Sequence, residues 1–459
     1  MSLRALSLGL LLAATSLHAQ FYAWGWGPEI SVTQNGSTIT CTTWDPILNQ
    51  SRTYNQTSVA SWSHDDGVVA TVSGGGIVTA IVYDINLASF RTEQLTSTSG
   101  SSVINIDGVI AWRSGSGIVG AAIYDPDLQM WVDEQFSSNS GNQIQNRDGV
   151  VTWVSSSGIV GAAVYDPSIG QWQDEQFSSN SGNVVQNRDG IVAWVSTSGI
   201  LGAAVYDPSI GQWQDEQFSS SSGNVLVIAQ GVVAWKSSSG ILGAAAYDWN
   251  TNSWDDEQFS SSSSNTMPTI ADGTVLWTNS SGQQRYGYTA GGQWQSNVNT
   301  AIRCKYYAEQ VGNGGAPRIA YLWCLTIGAS SYSHNCGDGH TITRRWAWKQ
   351  YMDPGSYLPQ LSALSYTNGT QCTDQLNFVG TAVEGRATSD APSIIVHNGS
   401  IRVIGDVVLG MITIVDAKGS VVYTGSHAAN TATITLPVAA GVYALRSGDG
   451  QARRFCVVR

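Results

Sequence analysis

The chain is short of charge, of histidine and of long apolar runs. Only 12% of its 459 residues are charged, and acidic residues outnumber basic ones to leave a formal net charge of -12. A broadly negative surface repels phosphate backbones and anionic membrane faces, so nucleic acid is excluded as a partner. No stretch of the chain reaches the roughly 20 apolar residues of a spanning helix, which excludes a transmembrane span. Six histidines, one of them His18 near the N-terminus, are a thin supply for metal or acid-base centres. No catalytic residue, metal ligand or cofactor is assigned. Six cysteines are few for this length, yet Cys304, Cys324, Cys336 and Cys372 fall close together. In an oxidising compartment that cluster reads as one or two disulfides stapling a loop-rich region, with the connectivity left open.

What is plentiful is glycine, at 50 residues, together with Ser, Asn, 18 Trp and 18 Tyr. Aromatics separated by small turn-forming residues read as an all-β chain. Residues 1–19 carry Arg4, an apolar stretch from Ala5 to Ala14, and Ala19 just before Gln20. That order of features is expected of a secretory signal peptide, which places the protein outside the cell or on its outer surface.

The strongest internal signal is a repeat. Tyr83, Tyr124, Tyr165, Tyr206 and Tyr247 follow one another at 41-residue steps, each with Asp next to it. Asp-Gly pairs at Asp66, Asp107, Asp148 and Asp189, and tryptophans at Trp131, Trp172, Trp213 and Trp254, keep the same step. The segment from Asp166 to Ser179 recurs unchanged from Asp207 to Ser220. Within one unit, Val184–Asn187, Ile191–Val195, Ile200–Tyr206 and Gln212–Phe218 are predicted strands, with turns of Gly, Ser and Asn between them. The middle two are apolar on both faces, as strands inside a stack of sheets must be. A four-stranded unit repeated at this length predicts a β-propeller over residues 20–299. Degenerate copies at Trp44-Asp45-Pro46 and at Tyr288 with Trp294 make about seven blades, six being the alternative, and a strand near Phe21 to Trp26 is expected to complete the last sheet. The simplest role for the repeated residues is structural: aromatics packed between sheets, aspartates tying turns.

The stretch AVYDPSIGQWQ, Ala204 to Gln214, resembles the strand-turn-strand signature of kelch-type repeats, with Ser198-Gly199 standing where those repeats carry a Gly-Gly doublet. The resemblance implies a propeller and no particular ligand.

Residues 300–391 break the period and are expected to be irregular. Their run HNCGDGH holds His334, Cys336, Asp338 and His340, residue types that ligate metals or, as Cys336 with His340, pair a thiol with a base. The competing reading bonds Cys336 in a disulfide, makes a turn of Gly-Asp-Gly and leaves the histidines exposed.

From residue 392 to 459 seven short alternating segments predict a small β-sandwich. IIVHNGSIRVIG (Ile394 to Gly405), ITIVDAKGSVVYTG (Ile412 to Gly425) with Asp416 and Gly419, AGVYALR (Ala440 to Arg446) with Gly441 and Tyr443, and the basic terminal strand ending in Arg459 resemble the C-terminal sorting domain of type IX secretion substrates of Bacteroidota. The resemblance implies type IX-like secretion machinery as a partner and passage through the outer membrane.

A catalytic centre needs unlike side chains converging, whereas blades three to six offer the same residues again and again. Repetition suits a non-catalytic, multivalent surface for a glycan or a surface protein. The alternative is a secreted polysaccharide hydrolase or lyase. The pairs Asp133-Glu134, Asp174-Glu175, Asp215-Glu216 and Asp256-Glu257 do not supply its acid and base, because neighbours in a strand point to opposite faces. They read as solvated charge on outer strands.

Overall fold

A computed structural model describes residues 28–45, 48–85, 87–96, 102–126, 128–137, 143–178, 184–219, 224–311, 318–351, 357–366 and 370–375, and the strands lying between 393 and 457. Every regular element among them is a strand, so none is a helix long and apolar enough to cross a membrane. The predicted signal peptide and the Phe21 to Trp26 strand lie outside the described residues.

Seven successive antiparallel sheets form the propeller blades. The first has three described strands, Ser31–Asn35, Thr38–Asp45 and Gln50–Gln56, and the next six have four each. Blade five is representative, with Val184–Arg188, Ile191–Val195, Leu201–Asp207 and Gln212–Ser219 hydrogen-bonded in chain order. Its third strand is buried throughout and its second nearly so, while the fourth exposes Asp215, Glu216 and Gln217 to solvent. The double-sided apolar strands are therefore the stacked interior, and the acidic pairs do sit on outer strands.

Close packing between second and third strands depends on glycine. A Cβ on Gly202 would lie 2.5 Å from the ring of Trp194 and 2.7 Å from the carbonyl of Glu216. Gly120, Gly161 and Gly243 carry the same restriction against Trp112, Trp153 and Trp235. The Asp-Gly turns have both residues at positive φ, 57° at Asp189 and 72° at Gly190, the backbone that two-residue hairpins of matching twist require.

Blades are tied to one another by the repeated side chains. The hydroxyl of Tyr206 donates to Asp166 Oδ2 at 2.5 Å and that of Tyr83 to Asp45 Oδ2 at 2.6 Å, while the other oxygen of each Asp accepts a backbone N–H of its own turn. Tyr124 with Asp84 and Tyr165 with Asp125 repeat the contact. Trp172, Trp213 and Trp254 donate through Nε1 to Val132, Gln173 and Gln214 carbonyls of the preceding blade, each at 3.0 Å. Phe177 stacks on Trp194 of the next blade, with centroids 5.4 Å apart. These are the structural roles expected of the repeated residues.

The region after residue 300 is strand rather than irregular coil. Arg303–Val311, Arg318–Ile327 and Trp346–Tyr351 form one sheet. Ser331–Asn335 pairs with Thr341–Ile342 on one side and Gln360–Ser365 on the other, followed by Thr370–Gln375. In the strand Arg318–Ile327, Tyr321, Trp323 and Leu325 join the core of the blades, whereas Leu322 and Cys324 join Cys336, Ile342 and Leu361 of the second sheet. Period-2 geometry buries both faces at once. Of the four clustered cysteines, Cys304 and Cys372 form a disulfide. Cys324 and Cys336 are buried thiols outside it, which corrects the expectation that Cys336 is disulfide-bonded.

A second compact unit, described by itself, contains the C-terminal strands. Seven strands between Ser393 and Val457 form sheets of three and four, a small β-sandwich. Asp416 lies opposite Tyr443, and Gly441 opposite Val457, in the backbone register. Gly419 and Arg459 lie outside the described residues.

Candidate functional site

The site with the most unlike chemistry is where the Asp-Gly turns of the blades meet the sheet that follows them. Each turn is two residues long, so its first residue stands at the blade end and presents its side chain to the next turn. Asp148 Oδ2 accepts the N–H of Asp189 at 2.9 Å and Asp189 Oδ2 that of Gln230 at 2.5 Å, while in blade two it is Asp65, the strand residue before the turn, whose Oδ2 accepts the N–H of Asp107 at 2.7 Å. The repeat thus lines up carboxylates, and like charges in a row need cations.

Arg344 and Arg345, just before Trp346–Tyr351, supply them. Arg344 Nη1 pairs with Asp66 and stands 3.1 Å from Asp107 Oδ1, with Nη2 3.9 Å from Asp65 Oδ1. Arg345 Nη1 stands 4.0 Å from Asp189 Oδ1, and its Nη2 donates to the Thr326 carbonyl at 3.4 Å. Trp346 lies over Gly149, where a Cβ would come within 2.6 Å of the ring. Gly231, in the equivalent turn of blade six, abuts the Thr326 carbonyl in the same way. The turns of blades two to six are each touched by this one sheet.

Asp65, Asp66 and Asp107 bring carboxylate oxygens within 4.8 Å of one another, a spacing that also suits a cation. Here the guanidinium of Arg344 takes that place. One Arg shared among three carboxylates does not cancel the cost of burial, and Asp107 is pushed up to about 7 by desolvation, then by Asp148 and Asp65. Burial raises Asp148 as well.

Against this end of the blades lies a cavity of about 30 Å³, lined by Asp148, Asp189, Arg345, Trp249, Trp323 and Trp346 among others. Trp249 occupies the position held by Pro126, Pro167 and Pro208 in the preceding blades. Sequence reasoning missed Arg344, Arg345 and the cavity. The available signal was the departure of Trp249 from its repeat, together with two adjacent arginines in a chain with few basic residues.

The run HNCGDGH is brought together as a folded turn. Cys336 N–H donates to the His340 carbonyl at 2.9 Å, and Asp338 pairs with Lys349 at 2.8 Å and His340 Nδ1 at 3.1 Å. Burial works against the Asp338 carboxylate, but Lys349 and His340 outweigh it and hold it below its usual range. His334 is buried rather than exposed, its Nε2 2.6 Å from the Arg344 carbonyl, and burial lowers it to about 4. His340 is half-buried. Burial pushes the Cys336 thiol up to about 12, the reverse of what a nucleophile needs. The turn therefore positions Arg344 through His334 and does not assemble a thiol-base pair.

The chain is a β-propeller protein with a sheet seated on the turns at one end of its blades. No protein family model matches it, and no curated protein does. Among solved structures it is similar to PorZ, a surface component of the type IX secretion system of Porphyromonas gingivalis, at 10% identity over 96% of this chain and 81% of that one, with a TM-score of 0.16. It is also similar to Prp20p of Saccharomyces cerevisiae, at 9% identity over 65% and 79% of the two chains, with a TM-score of 0.25. A post-proline cleaving enzyme from Rickettsia typhi matches at 10% identity over 67% and 58%, with a TM-score of 0.23. At such scores none of these carries an argument about this chain.

Proposed function

We propose that this is an exported protein, surface-bound or secreted, whose propeller is a non-catalytic scaffold for binding a glycan or a surface protein. In this reading residues 1–19 direct export, and the sandwich from residue 392 is the sorting signal recognised by type IX-like secretion machinery. The observation that carries the binding reading is the equivalence of the blades. The tyrosine-aspartate and tryptophan-carbonyl contacts recur with the same atoms from blade to blade, so what the blades offer a partner is offered several times. Equivalent weak sites add avidity without an asymmetric centre.

The test is a polysaccharide and glycan-array pull-down with the mature chain, followed by a reducing-end assay on every ligand retained. Retention without new reducing ends is expected. Sustained release of reducing ends would establish a hydrolase or lyase instead. For export, removing residues 392–459 is expected to leave the protein behind the outer membrane, and normal surface delivery of the truncated chain would exclude the sorting role.

A further inference from the structure

We propose that the cavity between the blade turns and Trp346–Tyr351 is a sugar subsite that takes two neighbouring hydroxyls of a terminal monosaccharide. This rests on the glycan branch of the function proposed above and adds to the repeated sites of the blades one that does not repeat.

The cavity is built around an under-used cation. The side chain of Arg345 is 8% exposed. Its guanidinium makes one long hydrogen bond, to the Thr326 carbonyl at 3.4 Å, and stands 4.0 Å from Asp189. A planar fork of N–H donors held this loosely has capacity left for an acceptor. Opposite it, Asp148 and Asp189 each commit Oδ2 to a backbone N–H of the next blade. Asp148 Oδ1 remains to accept from something else, and Asp189 Oδ1, with Arg345 no closer than 4.0 Å, has capacity left as well.

Two carboxylates line the cavity with one guanidinium, and the exposed Arg147 stands 3.9 Å from Asp148 Oδ2, so no positive charge is in excess to hold an anionic ligand. A cation would be set against Arg345. A hydroxyl both donates and accepts, so neighbouring hydroxyls can give protons to Asp148 and Asp189 and take hydrogen bonds from Arg345. The size agrees: about 30 Å³ is room for roughly two water oxygens. The two oxygens of a diol fill that volume while the rest of the sugar stays outside. The indoles of Trp249, Trp323 and Trp346 complete the wall and offer apolar faces to sugar C–H groups. Trp249 is also where the turn of blade six abandons the proline of blades three to five, so the site is a single asymmetric one.

The experiment titrates the mature chain by calorimetry with methyl glycosides of mannose, galactose and glucose, with their monodeoxy analogues, and with glycerol. Asp148→Asn and Trp249→Pro are compared with the parent after thermal melting has shown that each folds. At least one methyl glycoside is expected to bind, and removing one hydroxyl or introducing Asp148→Asn is expected to weaken it by at least about tenfold, the scale of a charged hydrogen bond. Trp249→Pro, which preserves every charge, is expected to weaken it as well. Glycerol binding as tightly as the glycoside would overturn the sugar assignment. If polysaccharide is retained and neither variant affects it, the subsite fails while glycan binding stands. If no glycan is retained in any form, the glycan reading fails and takes the subsite with it.

Discussion

Arg303 grips Asp248 with both terminal nitrogens, Nη2 at 2.8 Å from Oδ1 and Nη1 at 2.9 Å from Oδ2. In the five preceding blades the equivalent carboxylate, from Asp45 to Asp207, receives a tyrosine hydroxyl from the next blade. Arg303 opens the first strand after the propeller, so the ladder ends on a bidentate ion pair joining the last blades to the sheet that follows. Burial opposes the Asp248 carboxylate, but Arg303 outweighs it and holds the group below its ordinary range.

That ladder predicts a graded response to substitution. Tyr206→Phe leaves Asp166 Oδ2 buried without its hydroxyl donor and is expected to cost about 1.5–3 kcal/mol. Arg303→Met leaves Asp248 charged and mostly buried, and is expected to cost about 3 kcal/mol or more. Urea unfolding of the two variants and their double mutant checks this. The pairs share no residue, so the losses should add.

The glycine contacts predict a contrast. Gly202→Ala forces a Cβ to 2.5 Å from Trp194 and is expected to cost about 1–3 kcal/mol by overpacking. Gly75→Ala, with nothing closer than Ser73 Oγ at 3.8 Å, is expected to stay within about 0.5 kcal/mol of the parent. Equal melting shifts for the two would contradict the packing described.

Stability is expected to rise as pH falls from 8 to 6.5. The folded Asp107 titrates near 7 against an ordinary 3.8, so in that window the folded chain binds a proton that the unfolded chain does not. The outer-strand carboxylates Glu134, Glu175 and Glu216 are raised in the same direction, by burial and then by the aspartates of the next blade. Asp107→Asn should therefore flatten the slope of melting temperature with pH in this interval. His334 acts oppositely at lower pH. Buried neutral and lowered to about 4 from 6.5, it contributes stability that is lost as pH falls from 6.5 to 4, and His334→Gln should reduce that acid-side loss.

Thiol chemistry should separate the cysteines. Burial raises Cys324 to about 11 and Cys336 to about 12, so neither is expected to react with iodoacetamide at pH 8 until the chain is unfolded. Cys304 and Cys372 should react only after reduction. Mass spectrometry of labelled peptides reads both. Replacing the disulfide with two serines is expected to cost about 2–4 kcal/mol.

Much of the propeller was legible because each blade states its own structure and then repeats it. The predicted strands of the unit from Val184 to Phe218 match those observed to within a residue or two. The strand Arg318–Ile327 was not legible. With Tyr321, Trp323 and Leu325 on one core and Leu322 and Cys324 on another, it shows no alternation to detect. The disulfide partners were also beyond reach, since four cysteines permit several pairings until the strands are in register.

By itself, then, the sequence determined the blade: its four strands, its turns, its buried pair and the contacts that recur every 41 residues, all interactions within a blade or between adjacent blades. Only the tertiary structure decided what stands at the end of the blades. Arg344 meets Asp66 across 278 residues and Asp107 across 237. No local pattern encodes such meetings, because they depend on where a whole sheet comes to rest. The cavity at Arg345 exists for the same reason, formed where repeated turns face a sheet that does not repeat.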